Sequence, residues 1–541
     1  MGKGSRNREV RIAENQATAN GGVKLSKKQL IKQQEKKEKT KKIITMVATI
    51  AILVAVVVAI VAVSLNKSPK LEGTVSATSS YGEIDNAMMA YFMYSQVNTF
   101  VNNNSSYLSW YQLDPSSNLK TQKVPGSDIS WYTYFMNAAK SQVNELVALA
   151  CEAEKKGITL DDEEKAEIDA YLKELKDFSK QNNFKNLDQY FSYAYVAGVT
   201  ENAVRKALLL QQLAAKYYEE LLETFEYTDE EMEKYVEDNP ESFYKFDYIY
   251  YTFNPESKTN ATPAEKKAAL EAAKKQAEDF LAGVTDETSF KNAIVALKKA
   301  EEEAKKETNT ASSSSGSGSG EEKPDEDYLK NYIKEAQAYD ADSDFGKWAF
   351  KDERQAGDFE LIELTKTTQV DGKDVTEVTG YAVYFLTKAK YLDDYATKDV
   401  RHILFTKDTY GTLDAAKAKA EEVLAEYEKG NKTAEAFGEL AKTYTEDGNG
   451  DEGGLYEDVL KDYMVAEFND WMYDEKREVG DTGIVKTSYG YHIMYHVGDG
   501  EIAWKLAAES GLKGEEYEAY IKDLEKTYPV TYDNDKLLII P

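Results

Sequence analysis

The sequence predicts an α+β chain with a single transmembrane helix, a helical domain and two related small α+β domains in tandem. The chain has 541 residues, which is enough for about three or four domains. Three further observations indicate this organisation. One uncharged apolar run lies near the N-terminus, and a set of aromatic, glycine and aspartate residues recurs at fixed spacing in the C-terminal half. Helical periodicity of apolar residues fills much of the stretch between them.

A basic tail at 1–42 precedes the apolar run at 43–65. The tail has 13 Lys+Arg and 4 Asp+Glu, and the 23 residues of the run carry no charge. A helix rises about 1.5 Å per residue, so the run can cross a hydrocarbon core of roughly 30 Å, and it exceeds the apolar length of a cleaved signal. We expect an uncleaved anchor with a cytoplasmic N-terminus, because positive charge stays on that side. A buried core helix is the alternative.

The rest of the chain is acidic. The whole sequence has 67 Lys+Arg and 96 Asp+Glu, a net charge of −29, although the tail alone is positive. Nucleic acid binding needs clustered Lys and Arg, so this balance argues against a nucleic acid partner. The chain has one cysteine, Cys151, which excludes an internal disulfide and is expected to be a small core residue of a helix.

Residues 66–242 predict a helical domain. Apolar residues recur at helical spacing over 143–149, and Asp161 with its acidic neighbours predicts the start of another helix. Thr228, followed three residues later by Glu231, is typical of a capping box. An ordinary helical bundle accounts for these patterns, and none of them predicts a catalytic site.

A repeat divides the chain that follows into two related domains, at 243–397 and 398–500. In each copy a short apolar strand pattern lies before and after the repeated residues. The first copy also contains a serine and glycine run at 312–320, which is typical of a flexible solvated linker. The residues with identical spacing are Phe345, Trp348, Phe350, Gly357 and Asp358 in the first copy, and Phe468, Trp471, Tyr473, Gly480 and Asp481 in the second.

All three histidines lie in the second copy, at His402, His492 and His496. A single strand histidine is more often a core residue than a catalyst. The first two, however, are absent together from the first copy, where Tyr248 and Ala382 stand in their places. His496 is interpreted as a surface residue near the end of its strand. No metal is expected, because the chain has neither His-Glu-x-x-His nor paired-cysteine spacing.

An ordered series of short phrases runs through the second copy over residues 402–493. The phrases are His402-Ile403-Leu404, Tyr444-Thr445-Glu446-Asp447, Gly453-Gly454, Met464 with Phe468, Val479-Gly480-Asp481 and Tyr489-Gly490-Tyr491-His492-Ile493. Together they resemble a parvulin-type (PpiC-like) peptidyl-prolyl cis-trans isomerase. The wider chain resembles the extracytoplasmic foldases of Gram-positive bacteria. In that family the segment after the parvulin domain often returns to the helical domain, so 501–541, with a helix at 503–524 and a strand at 537–540, is expected to complete 66–242.

The resemblance implies the chemistry of the site. Parvulins turn X–Pro bonds between cis and trans, and because no bond is broken, no nucleophile, metal or cofactor is needed. The matching positions are His402 and His492 for the central histidine pair, Asp447 for the group beside the rotating bond, Thr487 for a threonine bonded to the pair, and Met464 and Phe468 for the proline-ring pocket. The i, i+4 spacing of the pocket residues also fits a plain core stripe.

One segment departs from the family pattern. After Gly453 and Gly454, parvulins usually continue with Asp-Leu-Gly and an aromatic residue that helps line the proline pocket. In this chain the segment that follows is 455–459. It reads Leu-Tyr-Glu-Asp-Val and is one residue shorter than the family pattern. This departure bears on rate and substrate preference more than on the fold.

These patterns predict a membrane-anchored isomerase and chaperone that acts outside the membrane on unfolded or newly exported proteins with X–Pro bonds. The second copy is expected to catalyse, and the first to keep the fold without activity. The rival interpretation is a non-catalytic holdase that binds unfolded chains through parvulin-like clamps, and a structural surface protein is a third. The sequence predicts neither the clients, nor the residue preferred before proline, nor the oligomeric state.

Overall fold

The structure, a computed structural model, describes most of the chain beyond the N-terminal segment. The predicted tail and anchor at 1–65 lie outside the described residues, as does the predicted linker at 312–320. Across the part that is described, no helix is both long and apolar enough to span a bilayer. The described ranges are 70–256, 261–310, 323–370 and 373–540.

The chain divides into two compact units, and the first is mainly helical. It takes the residues up to Glu226 and those from Lys513 onward. Side-chain caps set the helix starts: Ser130 accepts from the N–H of Thr133, and Asp161 forms a capping box with Glu164. The elements of its first stretch are β1 Val75–Thr78, β2 Glu83–Asp85, α1 Asn86–Asn103, α2 Trp131–Lys155, α3 Asp162–Gln181, α4 Leu187–Ala194 and α5 Glu201–Leu222.

The core of the first unit lies where α1, α2 and α5 pack together. Met89 and Phe92 on α1 and Val143 on α2 are fully buried, as is Leu210 on α5. Cys151 is also buried on α2. Burying a large apolar side chain stabilises a fold by about 1.5–3 kcal/mol, so each of these side chains contributes to the stability of the unit.

The second unit spans Tyr227–Leu512 and begins with two helices. Thr228 and Glu231 form the predicted capping box at the first of them. Met232 on that helix packs in one apolar cluster with Ala508. This packing places 227–242, which the sequence pattern assigns to the helical domain, in the second unit. The helices are α6 Asp229–Asp238 and α7 Pro240–Phe243.

Two four-stranded antiparallel sheets follow, with the same order of elements. In each, helices follow the first strand, one short helix follows the second, and the spatial order is second, first, fourth, third. The first set is β3 Lys245–Phe253, α8 Pro263–Leu281, α9 Glu287–Thr310, α10 Asp325–Leu329, β4 Ile333–Ala338, α11 Asp344–Ala349, β5 Phe359–Val370 and β6 Lys373–Tyr391. The second set is β7 Ala396–Thr406, α12 Lys407–Tyr410, α13 Leu413–Lys429, α14 Ala434–Tyr444, β8 Leu455–Val459, α15 Ala466–Met472, β9 Thr482–Lys486 and β10 Gly490–Ile502.

The same hydrogen bond occurs within each of the two sheets, between the start of the third strand and the fourth strand. In each, the N–H of the glycine before the third strand donates to a fourth-strand carbonyl at 2.8 Å. The acceptors are Leu386 and His496, so the fourth strands align with an offset of 110 residues, which is 496 minus 386. Ala382 therefore lies where His492 lies, as the repeat alignment predicts.

The first strands align differently from the repeat alignment. Tyr250 pairs with Tyr384, while His402 pairs with Met494, the equivalent of Tyr384. The residue at the position of His402 is therefore Tyr250, and the assignment of Tyr248 to it is wrong. A shift of two residues keeps every strand side chain on the same face, so the alternating pattern alone does not distinguish the two registers.

Helices cover both faces of the second sheet. On one face α13 and α14 pack against a cluster that includes Ile403, Phe405 and Ile493. On the other, α15 contributes Phe468 to a cluster with Val400. Side chains alternate between the two faces of a sheet along each strand. His402 of β7, two residues after Val400, and His492 near the start of β10 therefore lie on the face that α15 covers.

The C-terminal stretch returns to the first unit and adds a strand to its small sheet. The last elements are α16 Ala503–Thr527, β11 Thr531–Tyr532 and α17 Asn534–Leu537. β11 pairs with β1, and the Tyr132 hydroxyl donates to the carbonyl of Leu537 at 2.6 Å. The predicted strand at 537–540 is wrong, because Asp533 caps the short helix α17 here. Leu537 and Ile540 are both buried, three residues apart, as helical spacing requires.

Candidate functional site

Two buried histidines meet across the central strands β7 and β10. His402 pairs with Met494, and His492 pairs with Leu404, so the imidazoles are diagonal neighbours on one face of an antiparallel ladder. Their Nδ1 atoms are 3.1 Å apart, and the two residues are 1% and 5% exposed. The pair is therefore held by strands and not by loops.

Thr487 fixes one end of the histidine pair. It lies in the turn between β9 and β10, with its Oγ1 2.8 Å from Nε2 of His492. The same oxygen accepts the N–H of Tyr489 at 3.1 Å, so its own proton is free to be donated to His492. His492 Nε2 then accepts, and the ring proton lies on Nδ1, where it is donated to Nδ1 of His402.

The loop after α14 brings Asp447 to the other end of the pair. The N–H of Leu404 donates to Thr445 Oγ1, and the N–H of Glu446 donates to the Leu404 carbonyl, both at 3.0 Å. These bonds tie the loop to β7. Asp447 Oδ2 lies 2.8 Å from Nε2 of His402. The ring N–H does not point along this line, so the contact is a close electrostatic approach and not a well-aligned hydrogen bond.

The charge states of the site follow from these contacts. The contact with His402 lowers the pKa of Asp447 to about 2, although partial burial of the carboxyl opposes this shift. The N–H of Gly448 donates to Oδ1 of the same carboxyl at 2.7 Å. Burial lowers the pKa of His492 to about 4, and the His402 imidazole acts in the same direction. At neutral pH the carboxyl is ionised and His492 is neutral.

An apolar cluster lies beside the histidines. The ring of Phe468 approaches both imidazoles edge-on, with centroids 5.4 Å from His402 and 5.6 Å from His492. Met464 is half-buried and packs against the same cluster, but it lies before the helix, which begins at Ala466. The predicted pocket residues thus belong to one cluster. Its other members are Val400, Tyr456, Val459, Val465, Trp471, Met472, Tyr473, Val485 and Met494.

Tyr456 is a site residue that the sequence analysis does not identify. It lies in β8, and its hydroxyl donates to Asp447 Oδ2 at 3.0 Å. Its ring stacks on His402, with the centroids 5.2 Å apart and the planes 22° from parallel. The available signal was the aromatic residue two positions after Gly454, in the segment that departs from the family pattern.

His496 is buried, so its interpretation as a surface residue is wrong. It is 4% exposed, and its Nδ1 is buried without a hydrogen-bond partner among the described residues. The reason is the length of β10, which continues to Ile502 and so places His496 in the middle of a strand. Within the described ranges, no three His, Cys, Asp or Glu side chains form a group that could hold a metal.

The second sheet lies within a segment that matches a known protein family. Residues 382–498 match the PPIC-type PPIASE domain. The matched segment begins in β6 of the first sheet, ends in β10 of the second and covers less than half of the chain.

Several solved structures are similar to part of the chain. The peptidylprolyl isomerase PrsA from Bacillus anthracis is 20% identical, with a TM-score of 0.17, over 25% of this chain and 61% of that one. PrsA from Bacillus cereus is 26% identical, with a TM-score of 0.17, over 27% and 55%. A SurA-like chaperone structure from Campylobacter jejuni is 27% identical, with a TM-score of 0.16, over 26% of this chain and 56% of that one. The chain thus spans less than two thirds of each of these proteins, and no curated protein matches it.

Proposed function

We propose that the domain matched within residues 382–498 isomerises X–Pro peptide bonds. The match with the PPIC-type PPIASE domain confirms the parvulin-type domain expected from the sequence. One observation carries the proposal. Thr487, His492, His402 and Asp447 form a continuous series of contacts beside Phe468. The series holds two buried imidazoles and a carboxylate next to an apolar cluster.

The chemistry needs a site that favours the twisted amide over both planar forms. The uncatalysed barrier is about 18–20 kcal/mol, because twisting removes the resonance of the peptide bond. In the planar form resonance places negative charge on the carbonyl oxygen, and twisting withdraws it. A carboxylate beside that oxygen, which we assign to Asp447, disfavours the planar forms more than the twisted one. Each 1.36 kcal/mol gained in this way raises the rate about tenfold.

The other residues act by holding this arrangement. The apolar cluster around Phe468 and Met464 is proposed to receive the proline ring and to exclude water, which strengthens the electrostatic contacts in the site. Thr487 and the strand positions of His402 and His492 keep the imidazoles in one tautomer and one orientation. No step transfers a proton to the substrate in this scheme.

The test is catalysis of proline-limited refolding by a soluble fragment, 66–541. We expect His492→Ala and Thr487→Val each to lower kcat/KM by tenfold or more, because either change breaks the series at the histidine pair. Thr443→Val is the matched control, since this threonine is exposed on α14 and bonds only to Glu439 in its own helix. A fragment that is folded but gives no acceleration at concentrations sufficient for other parvulins would exclude the enzymatic function.

The wider proposal is a membrane-anchored foldase for exported proteins. The basic tail at 1–42 and the apolar run at 43–65 support a single-pass anchor with an extracytoplasmic remainder, because of their charge and length. The helical unit and the first sheet are proposed to hold unfolded client chains. Exposed aromatic side chains in the first unit support this, since Tyr107 and Trp110 are 64% and 72% exposed.

The same exposed aromatics favour a second candidate, a holdase without catalysis. The two are separated by a His402→Ala variant assayed for aggregation of an unfolded client and for proline-limited refolding. The foldase predicts that the variant still suppresses aggregation but loses the isomerase activity of the native chain. If the native chain suppresses aggregation and never accelerates refolding, the holdase is correct.

A further inference from the structure

Tyr456 contacts two members of the proposed site at once. It lies in β8, where it pairs with Val400 of β7, two residues before His402. Its ring stacks on one face of the His402 imidazole, and the Phe468 ring meets the same imidazole edge-on. The His402 ring is thus confined between two aromatic side chains and is left little freedom to rotate.

The hydroxyl of Tyr456 is aimed at the carboxylate of Asp447. It lies 3.0 Å from Oδ2, the oxygen that also approaches His402. Burial raises the pKa of Tyr456 above its ordinary value, and the negative charge of Asp447 adds to the effect. The phenol is therefore protonated over the whole working range of pH, and toward an ionised carboxylate it can act only as the donor.

Without Tyr456 the carboxylate would be poorly held on the side that faces His402. Its other oxygen, Oδ1, accepts the N–H of Gly448 at 2.7 Å, which leaves rotation about that bond open. The His402 N–H is not aligned with Oδ2, so the imidazole alone does not orient the group. The Tyr456 hydroxyl is the aligned donor to Oδ2 among the described contacts.

We propose that Tyr456 is a positioning residue for X–Pro isomerisation, which holds the Asp447 carboxylate and the His402 ring in one fixed arrangement. The inference rests on the proposed function and deepens it. It assigns a role to the segment where the chain departs from the family pattern: an aromatic residue with a hydroxyl is retained there, in a strand next to the site. Tyr456 acts through Asp447 and His402 and need not touch the substrate.

The test compares Tyr456→Phe, which keeps the ring and removes the hydroxyl, with Thr443→Val in the same domain. Thr443 donates to the Glu439 carbonyl at 2.9 Å, so the control loses a hydroxyl bond of similar length outside the histidine series and the apolar cluster. We expect Tyr456→Phe to lower kcat about tenfold with little change in KM, because a bond to a charged group is lost. Loss of that donor also favours the protonated form of the Asp447 carboxyl. Any fall in activity at low pH that is set by Asp447 therefore moves to higher pH. Thr443→Val should leave both unchanged.

A second readout does not need activity. The ring nitrogens of His402 are followed by ¹⁵N NMR in the native chain and in both variants. A changed Nε2 signal in Tyr456→Phe alone supports the positioning role, even if the native chain proves not to be an isomerase. Native-like kcat and an unchanged His402 signal in Tyr456→Phe overturn it. Equal losses in the two variants also overturn it, because they would show a general effect on the fold.

Discussion

At the scale of single residues, the proton arrangement is set by the groups at the two ends of the histidine series. Asp447 is ionised and cannot donate, while Thr487 has its oxygen occupied by the N–H of Tyr489 and is left to donate. With Thr487 as the donor at one end, the hydrogen bonds run from Thr487 to His492 and from His492 to His402. The Nε2 atom of His402 then faces the Asp447 carboxylate without an aligned hydrogen bond. A protonated His492 carries a proton on both ring nitrogens, so one of its N–H groups would face another donor, at Thr487 or at His402.

A pH prediction follows from this arrangement. The pKa of His492 falls from 6.5 to about 4 on burial, so the folded state binds fewer protons than the unfolded state between these values. His492 therefore does not lower the free energy of unfolding above pH 6.5. As the pH falls toward 4, the free energy of unfolding decreases by on the order of 3 kcal/mol. We expect isomerase activity to be level from pH 8 to about 5.5 and to fall with a midpoint near 4. Titration of the His492 ring by NMR checks the assignment, and a midpoint near 6.5 would contradict it.

Most of the candidate site could be predicted at the residue scale. Five predicted residues lie together in the structure: His402, His492, Asp447, Thr487 and Phe468. All of them belong to one small sheet or to the segments that connect its strands. Two residues could not be placed from the sequence. The position of Tyr456 depends on how β8 pairs with β7, and the burial of His496 depends on how far β10 continues. Both are properties of strand pairing, which a local pattern does not encode.

At the scale of elements, the junction before β8 depends on one glycine. Gly454 has a φ of +69°, and a Cβ there would lie 2.1 Å from the carbonyl oxygen of His402. The backbone N–H of His402 donates to the Gly454 carbonyl at 2.8 Å, so the two segments cannot separate without losing that bond. Close backbone approach and a left-handed conformation thus both require glycine at this position.

We expect Gly454→Ala to lower the free energy of unfolding of this domain by about 3 kcal/mol or more, since it adds backbone strain to a steric overlap. Gly448→Ala is the matched control in the same loop. A Cβ there meets no atom within 4 Å, so the change should stay within about 1 kcal/mol. Hydrogen exchange of the β7 and β10 amides measures both. A Gly454→Ala domain as stable as the control would show that β8 does not pair as described.

Helices were easier to predict than strands. The starts of α13 and α14, for example, are set locally, because Thr412 and Thr433 cap them from the adjacent position. The end of β10 and the missing strand at 537–540 were not predictable in this way. A strand ends where its partner strands end, and those partners are remote in sequence.

At the scale of the whole molecule, the first sheet has aromatic rings where the second has its histidine site. Phe345 stacks on Tyr384 with centroids 4.3 Å apart, and Tyr248 lies 4.4 Å from Phe345. Tyr250 and Ala382 occupy the positions of the two imidazoles. Neither Tyr250 nor Ala382 supplies an imidazole, so the first domain is expected to be inactive although it keeps the order of elements.

The whole chain provides the test of that expectation. A variant with both His402→Ala and His492→Ala should show no X–Pro exchange above the uncatalysed rate, measured by NMR on a short proline peptide. The native chain measured alongside gives the reference. Clear catalysis by the double variant would contradict this expectation, and adding Asp447→Ala would then show whether the remaining activity comes from the second domain or the first.

The broad organisation was predictable because helical and alternating periodicities differ over long stretches. The division between the units was not, since it depends on contacts such as that of Met232 with Ala508, which join residues far apart in sequence. The repeat was visible through Trp348 and Trp471, whose bulk fixes the packing of the short helices α11 and α15. The register inside the repeat needed the hydrogen bonds of the folded chain.

The return of the C-terminal stretch to the first unit has a consequence for the order in which the protein can be completed. A polypeptide leaves the ribosome from its N-terminal end. The first unit begins to emerge early, yet β11 and the buried Leu537 and Ile540 arrive last. The second unit is contiguous in the chain and can close on itself during that interval. The isomerase domain would thus be mature before the helical unit that precedes it, and available to any prolyl bond still isomerising there.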